Sequence, residues 1–66
     1  MTAAEVAERV KKVLDASGDP EAAHSREDAL HQAVLKAIAE GDCDDPAACA
    51  RQALMTQGID FPRWCA

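Results

Sequence analysis

Apolar residues recur at helical spacing in the first fourteen residues of the chain. Four of them stand at positions i, i+4, i+7 and i+8, which places them in one stripe along a helix: Val6, Val10, Val13 and Leu14. Thr2 and Glu5 have the spacing of a capping box, in which side chains bind the first free amides of a helix. The pattern predicts a helix that begins after Thr2 and ends before Ser17 and Gly18.

A second helical segment begins at an Asp-Pro pair. Asp19 can cap a helix, and Pro20 suits the first helical position because an N–H there has no partner within the helix. The large apolar residues of this segment fall within an arc of about 140° on a helical wheel. They are Leu30, Val34, Leu35 and Ile38. The pattern predicts a helix from Pro20 to about Glu40, with this arc facing the core.

The start of the second helix has an alternative. Ser25 and Asp28 form another possible capping box, so residues 20–24 could instead make a separate turn. With either start, Gly41 closes the helix.

A second Asp-Pro pair, Asp45 and Pro46, predicts a third helix that continues to about Thr56. Gly58 is expected to supply a left-handed cap. We expect four residues to form the inner face: Ala47, Ala50, Leu54 and Met55. No alternating β-branched run or Asn-Gly turn indicates a strand, so the predicted class is all-α, a small three-helix bundle.

The two aromatic residues of the chain, Phe61 and Trp64, stand three apart in the C-terminal tail and share a face. The predicted core is poor in large side chains, so we expect this short tail to pack on the bundle and close one end of it. The alternative is that both rings are exposed and form the anchor that binds a partner.

Composition supports a small helical domain spanning residues 1–66. Leu, Ile, Val and Phe make up only 11 of 66 residues and the net charge is -5, which approaches the composition of a disordered chain. The 15 alanines change this interpretation because alanine is the best helix former and allows helices to pack closely.

Charge and cysteine content limit the functional classes. Seven basic against twelve acidic residues argue against direct nucleic-acid binding, which needs clustered Lys and Arg. The sequence has no secretory signal and no apolar run of the roughly 20 residues that span a membrane, so we expect a cytoplasmic protein without membrane contact. Cys43, Cys49 and Cys65 are an odd number, and we expect free thiols.

Three polar residues lie on the apolar stripe of the second helix: His24, Glu27 and His31. Imidazoles and a carboxylate at this spacing could hold a divalent metal ion or transfer a proton. The favoured alternative is that Glu27 or Asp28 caps an amide or pairs with a histidine, while the histidines form hydrogen bonds at a helix crossing. Zinc motifs on helices use closer histidines, so we expect no metal and no other cofactor.

Neither the cysteines nor the acidic loop matches a metal motif. The five residues between Cys43 and Cys49 exceed the spacing of a structural zinc site. The loop that contains Glu40, Asp42, Asp44 and Asp45 lacks the glycine and terminal glutamate of a calcium loop. We expect it to be a solvated loop before the third helix.

The segment AHSREDALHQAVLKAIAEG and the ending IDFPRWCA resemble a group of small uncharacterised actinobacterial and actinophage proteins. The resemblance covers about 45 residues. It rests on three short runs: Ala23, His24, Glu27, Asp28 and Leu30; Ile38, Ala39 and Gly41; and the ending Arg63, Trp64, Cys65 and Ala66. It implies a phage or actinobacterial source and an intracellular setting, with no implied activity.

The leading functional hypothesis is a non-enzymatic module that binds a host or phage protein, with homodimer formation also possible. The sequence lacks a nucleophile elbow, a glycine-rich phosphate loop and a catalytic triad pattern. The second hypothesis is the metal or proton-transfer site at His24, Glu27 and His31. An acidic mimic of nucleic acid ranks last because basic residues interrupt the carboxylates along most of the chain.

Overall fold

The computed structural model describes residues 1–63 and contains three helices. These are α1 (Ala3–Asp15), α2 (Pro20–Ala39) and α3 (Pro46–Leu54), and a 3₁₀ turn, Met55–Gly58, follows α3. Residues 1–63 contain no strand, and the three helices pack on one another. The predicted all-α three-helix bundle is therefore confirmed.

Each helix begins at the predicted cap. In all three, a side-chain oxygen accepts a hydrogen bond from the amide three residues later: Glu5 N to Thr2 Oγ1, Ala22 N to Asp19 Oδ1, and Ala48 N to Asp45 Oδ1, at 3.1 to 3.2 Å. α2 is continuous from Pro20, so residues 20–24 do not form the alternative separate turn.

The end of α2 depends on a glycine in a left-handed conformation. Gly41 has a φ angle of 74°. This allows Asp42 N to donate to Ala37 O at 2.8 Å and Gly41 N to donate to Ile38 O at 3.2 Å, the two bonds of a Schellman motif. The predicted left-handed cap at Gly58 is wrong, because Gly41 alone has a positive φ in residues 1–63. The chain after α3 tightens into the 3₁₀ turn instead.

Replacing Gly41 with alanine should lower the free energy of unfolding by about 1 to 2 kcal/mol, because a side chain disfavours this backbone conformation. Gly58→Ala is the matched control, since both positions have open space around a new methyl group. Urea unfolding followed by circular dichroism should show a clear shift for Gly41→Ala and little change for Gly58→Ala. Equal shifts would contradict this account of the helix end.

Small and medium-sized side chains form most of the core. Its buried members are Val6, Val13, Ala23, Leu30, Val34, Cys49, Ala53 and Phe61. Phe61 is only 5% exposed, so this part of the tail packs on the bundle as predicted. Trp64, the other predicted aromatic contact, lies outside the described residues.

The buried face of α3 differs from the predicted one. Cys49, Ala53 and Thr56 are buried at spacing i, i+4 and i+7, whereas Leu54 and Met55 are more than half exposed. The centre of this face lies about 150° around the helix from the centre of the predicted stripe, so α3 buries nearly the opposite side from the one predicted. Its side chains are small, which lets α3 lie close to the other helices, and the Thr56 hydroxyl is satisfied by donating to Ala53 O at 3.1 Å.

Two other leucines assigned to inner faces are also at the surface. Leu14 is 54% exposed and Leu35 is 67% exposed. Both lie at the edge of their predicted apolar arcs, and the buried arc of each helix is narrower than predicted. The core therefore leaves large aliphatic side chains outside it.

Candidate functional site

A buried carboxylate on α2 forms an ion pair with the C-terminal tail. Glu27 is 6% exposed, in the middle of the apolar face of its helix. Arg63 Nε donates to Glu27 Oε1 at 2.9 Å, and Arg63 Nη2 donates to Glu27 Oε2 at 3.0 Å. Both carboxylate oxygens are thus bound in the forked geometry that makes arginine–carboxylate pairs strong.

Arg63 also forms hydrogen bonds with the backbone of the residues that precede it. Its guanidinium donates to the carbonyl oxygens of Thr56, Ile59 and Phe61 at 3.0 to 3.3 Å. Its central carbon lies 3.8 Å from the centroid of the Phe61 ring. Arg63 therefore fastens residues 56–63 to α2, in addition to neutralising Glu27.

Sequence reasoning identified Glu27 but did not identify Arg63 as its partner. The signal in the sequence was that a glutamate on an apolar stripe needs a cation, and Arg63 is a cation beside the aromatic residues that were expected to pack on one end of the bundle.

The ion pair changes the protonation of Glu27. Hydrogen bonding from Arg63 holds the pKa of the Glu27 carboxyl below its ordinary value of 4.5, although burial acts in the opposite direction. A lowered folded-state pKa means that ionised Glu27 stabilises the fold above about pH 4.5. This contribution is lost as the pH falls through the folded-state value.

Glu27→Gln should therefore be destabilising at neutral pH, and the difference from the unmutated chain should shrink as the pH falls below about 4.5. Urea unfolding at a series of pH values measures that difference. Glu8→Gln, at an exposed position on α1, is the control and should change the profile little. A Glu27→Gln difference that stayed constant down to about pH 3 would contradict the assigned role.

The two histidines of α2 have separate partners. His31 Nε2 lies 3.1 Å from Ala53 O and 3.0 Å from Thr56 Oγ1, so the ring connects α2 to the end of α3. Because the Thr56 hydroxyl donates its one proton to Ala53 O, a protonated His31 Nε2 is the arrangement that satisfies both contacts, with the ring N–H donating to the carbonyl and hydroxyl oxygens. His24 Nδ1 lies 3.6 Å from Asp28 Oδ2 on the same helix.

In the described chain, these partners leave no shared metal site. No three His, Cys, Asp or Glu side chains within residues 1–63 are grouped so that they could hold a metal ion. The three candidates for a metal or proton-transfer site make different contacts: Glu27 binds Arg63, His31 binds the end of α3, and His24 lies 3.6 Å from Asp28. Cys43 and Cys49 are free thiols, and hydrogen bonding to Cys43 together with burial raises the pKa of Cys49. Cys65 lies outside the described residues.

An apolar groove of about 250 Å³ runs between α2 and α3. Most of its lining is aliphatic: Val34, Leu35, Ile38, Ala50, Ala53 and Leu54, with Gln57 as a polar member. Leu35 and Leu54 are 67% and 55% exposed, one on each side. His31, which also lines the groove, binds the end of α3 and so fixes the separation of its walls. The exposed leucines therefore form one surface between two helices.

The groove ends near an acidic loop. The loop connects the last residues of α2 to the first of α3, and four of its carboxylates belong to exposed residues: Glu40, Asp42, Asp44 and Asp45. The Met1 amino group donates to Asp42 O at 2.6 Å, and Asp44 N donates to Met1 O at 3.2 Å. These bonds anchor the loop to the N-terminus through its backbone, while its carboxylates give this end of the groove negative charge.

The tail does not offer Phe61 as a binding anchor. Its ring is buried and covered by the Arg63 guanidinium. The surface feature missed by sequence reasoning is the pair Leu35 and Leu54, which were both assigned to the core.

No protein-family model matches the chain, and no curated protein or solved structure is significantly similar to it. None of the helices in residues 1–63 combines the length and apolar character needed to cross a membrane.

Proposed function

We propose that this protein is a non-enzymatic protein-binding module that receives an amphipathic helix of its partner in the α2–α3 groove. The observation that carries the proposal is the exposure of Leu35 and Leu54 on facing walls of one apolar groove. Contiguous exposed apolar surface on a small domain is typical of an interaction site. A partner helix that packs between two helices covers such a surface with its own aliphatic side chains, which stand at positions i, i+3, i+4 and i+7 of the partner.

The negative charge of the protein indicates the charge of the partner helix. The chain has a net charge of -5, and the acidic loop gives one end of the groove a concentration of carboxylates. A partner helix with Lys or Arg at the end that meets this loop complements both parts of the surface. A second copy of the chain would bring its own excess of negative charge, so we assign the groove to a different protein.

The remaining features are consistent with binding without chemistry. Glu27, His24 and His31, the residues best suited to acid–base catalysis, are engaged in contacts with neighbouring side chains or backbone. We place the protein in the cytoplasm, a compartment in which thiols such as those of Cys43 and Cys49 stay reduced. The resemblance to actinobacterial and actinophage proteins supports a host or phage protein as the partner.

The test uses a synthetic amphipathic peptide of about 18 residues with leucines at the stated spacing and lysines at one end. NMR shift changes should locate the peptide on residues that line the groove. Leu35→Gln or Leu54→Gln should weaken binding by about tenfold or more, because burying a leucine contributes roughly 1.5 to 3 kcal/mol. Leu14→Gln is the matched control: Leu14 is as exposed as Leu54 but lies on α1, and its replacement should leave the affinity unchanged.

Two results would overturn the proposal. One is equal binding of a peptide with the same composition but a scrambled leucine order, which would indicate nonspecific attraction. The other is a dimer in sedimentation equilibrium that Leu35→Gln dissociates, which would show that a second copy occupies the groove.

A further inference from the structure

A second groove, with different chemistry, lies between α1 and α2. It has a volume of about 390 Å³ and is lined by Arg9, Lys12, Arg26, Ala29 and Leu30. Three of the seven basic residues of an acidic chain thus line one groove, and no acidic residue of the described chain lines it. On the helical wheel of α2, the buried Leu30 lies between Leu35 on one side and Arg26 and Ala29 on the other. The two grooves are therefore separate surfaces.

Within residues 1–63, the three cations of this groove have no carboxylate partner. The contacts between a carboxylate and a basic side chain in that part of the chain are His24–Asp28 at 3.6 Å and Glu27–Arg63 at 2.9 Å, and neither includes a residue of this groove. Arg26 Nη1 donates to Lys12 O at 3.0 Å, which fixes the guanidinium against the last turn of α1. Because a guanidinium has five N–H donors, this one bond leaves Arg26 with donors for a ligand.

We propose that the α1–α2 groove binds an acidic segment of a protein, in which carboxylates pair with Arg9, Lys12 and Arg26 and an aliphatic side chain contacts Ala29 and Leu30. Guanidinium groups bind carboxylates with the forked geometry that the Glu27–Arg63 pair already shows in this protein. The methyl groups of the floor suit a peptide that alternates acidic and aliphatic residues. This surface goes beyond the proposed function, because it involves neither Leu35 nor Leu54.

The charge of the whole chain favours an acidic protein segment over nucleic acid. A polyphosphate backbone needs a continuous track of cations. Here the cationic stretch of α1 is bounded by Glu5, one turn before Arg9, and the net charge is -5. Phe61 is buried, so its ring is not available for stacking on a base.

The experiment measures binding of a fluorescein-labelled peptide of alternating Glu and Leu by fluorescence anisotropy, with a Gln–Leu peptide as the uncharged control. We expect Arg9→Gln and Arg26→Gln each to weaken binding about fivefold to tenfold, and added salt to weaken it further. Lys11→Gln removes an exposed cation next to Lys12 that does not line the groove, and should change the affinity less than about twofold.

Two further variants test whether binding of the acidic peptide depends on the charge of Arg26 and whether it involves the α2–α3 groove. Arg26→Lys retains the charge and should recover part of the affinity that Arg26→Gln loses, and circular dichroism verifies that each variant is folded. Leu35→Gln should leave binding of the acidic peptide unchanged, so failure of the α2–α3 groove proposal would not affect this one.

The proposal is overturned if the Gln–Leu peptide binds as well as the Glu–Leu peptide, or if Lys11→Gln weakens binding as much as the groove variants do. It is also overturned if a single-stranded oligonucleotide or vesicles containing phosphatidylserine bind more tightly than the peptide and lose affinity with Arg9→Gln and Arg26→Gln. Those results would assign the groove to nucleic acid or to a membrane surface.

Discussion

Deletion of residues 59–66 is expected to lower the free energy of unfolding by about 3 to 5 kcal/mol, the range for loss of a large buried aromatic side chain. Phe61 is the aromatic residue in the core, and Ile59 packs against the same cluster. Domains of this size have a total stability of only about 3 to 5 kcal/mol, so the truncated chain should be largely unfolded.

The deletion also removes Arg63 from Glu27. The carboxylate would then remain on an apolar helix face without the guanidinium that binds both of its oxygens. A buried charge that loses its partner is unfavourable, and this effect adds to the loss of Phe61. Both effects act on the same end of the bundle.

Two point variants separate these contributions. Phe61→Ala should account for most of the lost stability. Arg63→Gln should be destabilising at neutral pH and less so at acidic pH, where Glu27 takes up a proton. Urea unfolding followed by far-UV circular dichroism gives both values. A truncated chain that unfolded at the same urea concentration as the full chain would show that the tail is not part of the core.

The helix boundaries could be predicted because their chemistry is local. At every helix start, the capping side chain and the amide that it binds are three residues apart. The end of α2 at Gly41 follows equally from one residue that tolerates a positive φ. Such interactions are visible in a short stretch of sequence, whatever the rest of the chain does.

The face that each helix buries was harder to predict. Periodicity shows which residues share a face but does not show which face is buried, and large aliphatic side chains were assumed to point inward. In α3 the smaller residues Cys49 and Ala53 are buried and Leu54 is exposed. The choice depends on how closely the helices approach, which is a property of the whole bundle.

The Glu27–Arg63 pair could not be derived from local patterns because its partners are 36 residues apart in sequence. It forms only when the tail returns to α2. The apolar groove was missed for a related reason: the same leucines that were assigned to the core are the ones that line it.

Leu30→Ala is expected to unfold most of the protein, whereas Leu35→Ala should leave it almost as stable as before. Leu30 is 3% exposed in the core and Leu35 is 67% exposed, although both belong to the apolar arc predicted for α2. Removing a buried leucine destabilises a protein by about 2 to 5 kcal/mol, which is comparable to the total stability expected here. A surface substitution usually changes stability by less than about 0.5 kcal/mol.

The comparison is closely matched because the two substitutions are chemically identical and lie on one helix. Leucine and alanine are both strong helix formers, so helix propensity contributes little to either change. The remaining difference is the loss of core packing at Leu30. Thermal and urea unfolding should give a large shift for Leu30→Ala and a small one for Leu35→Ala. Similar losses in both variants would mean that Leu35 is also buried, and the α2–α3 groove would then not be open to a partner.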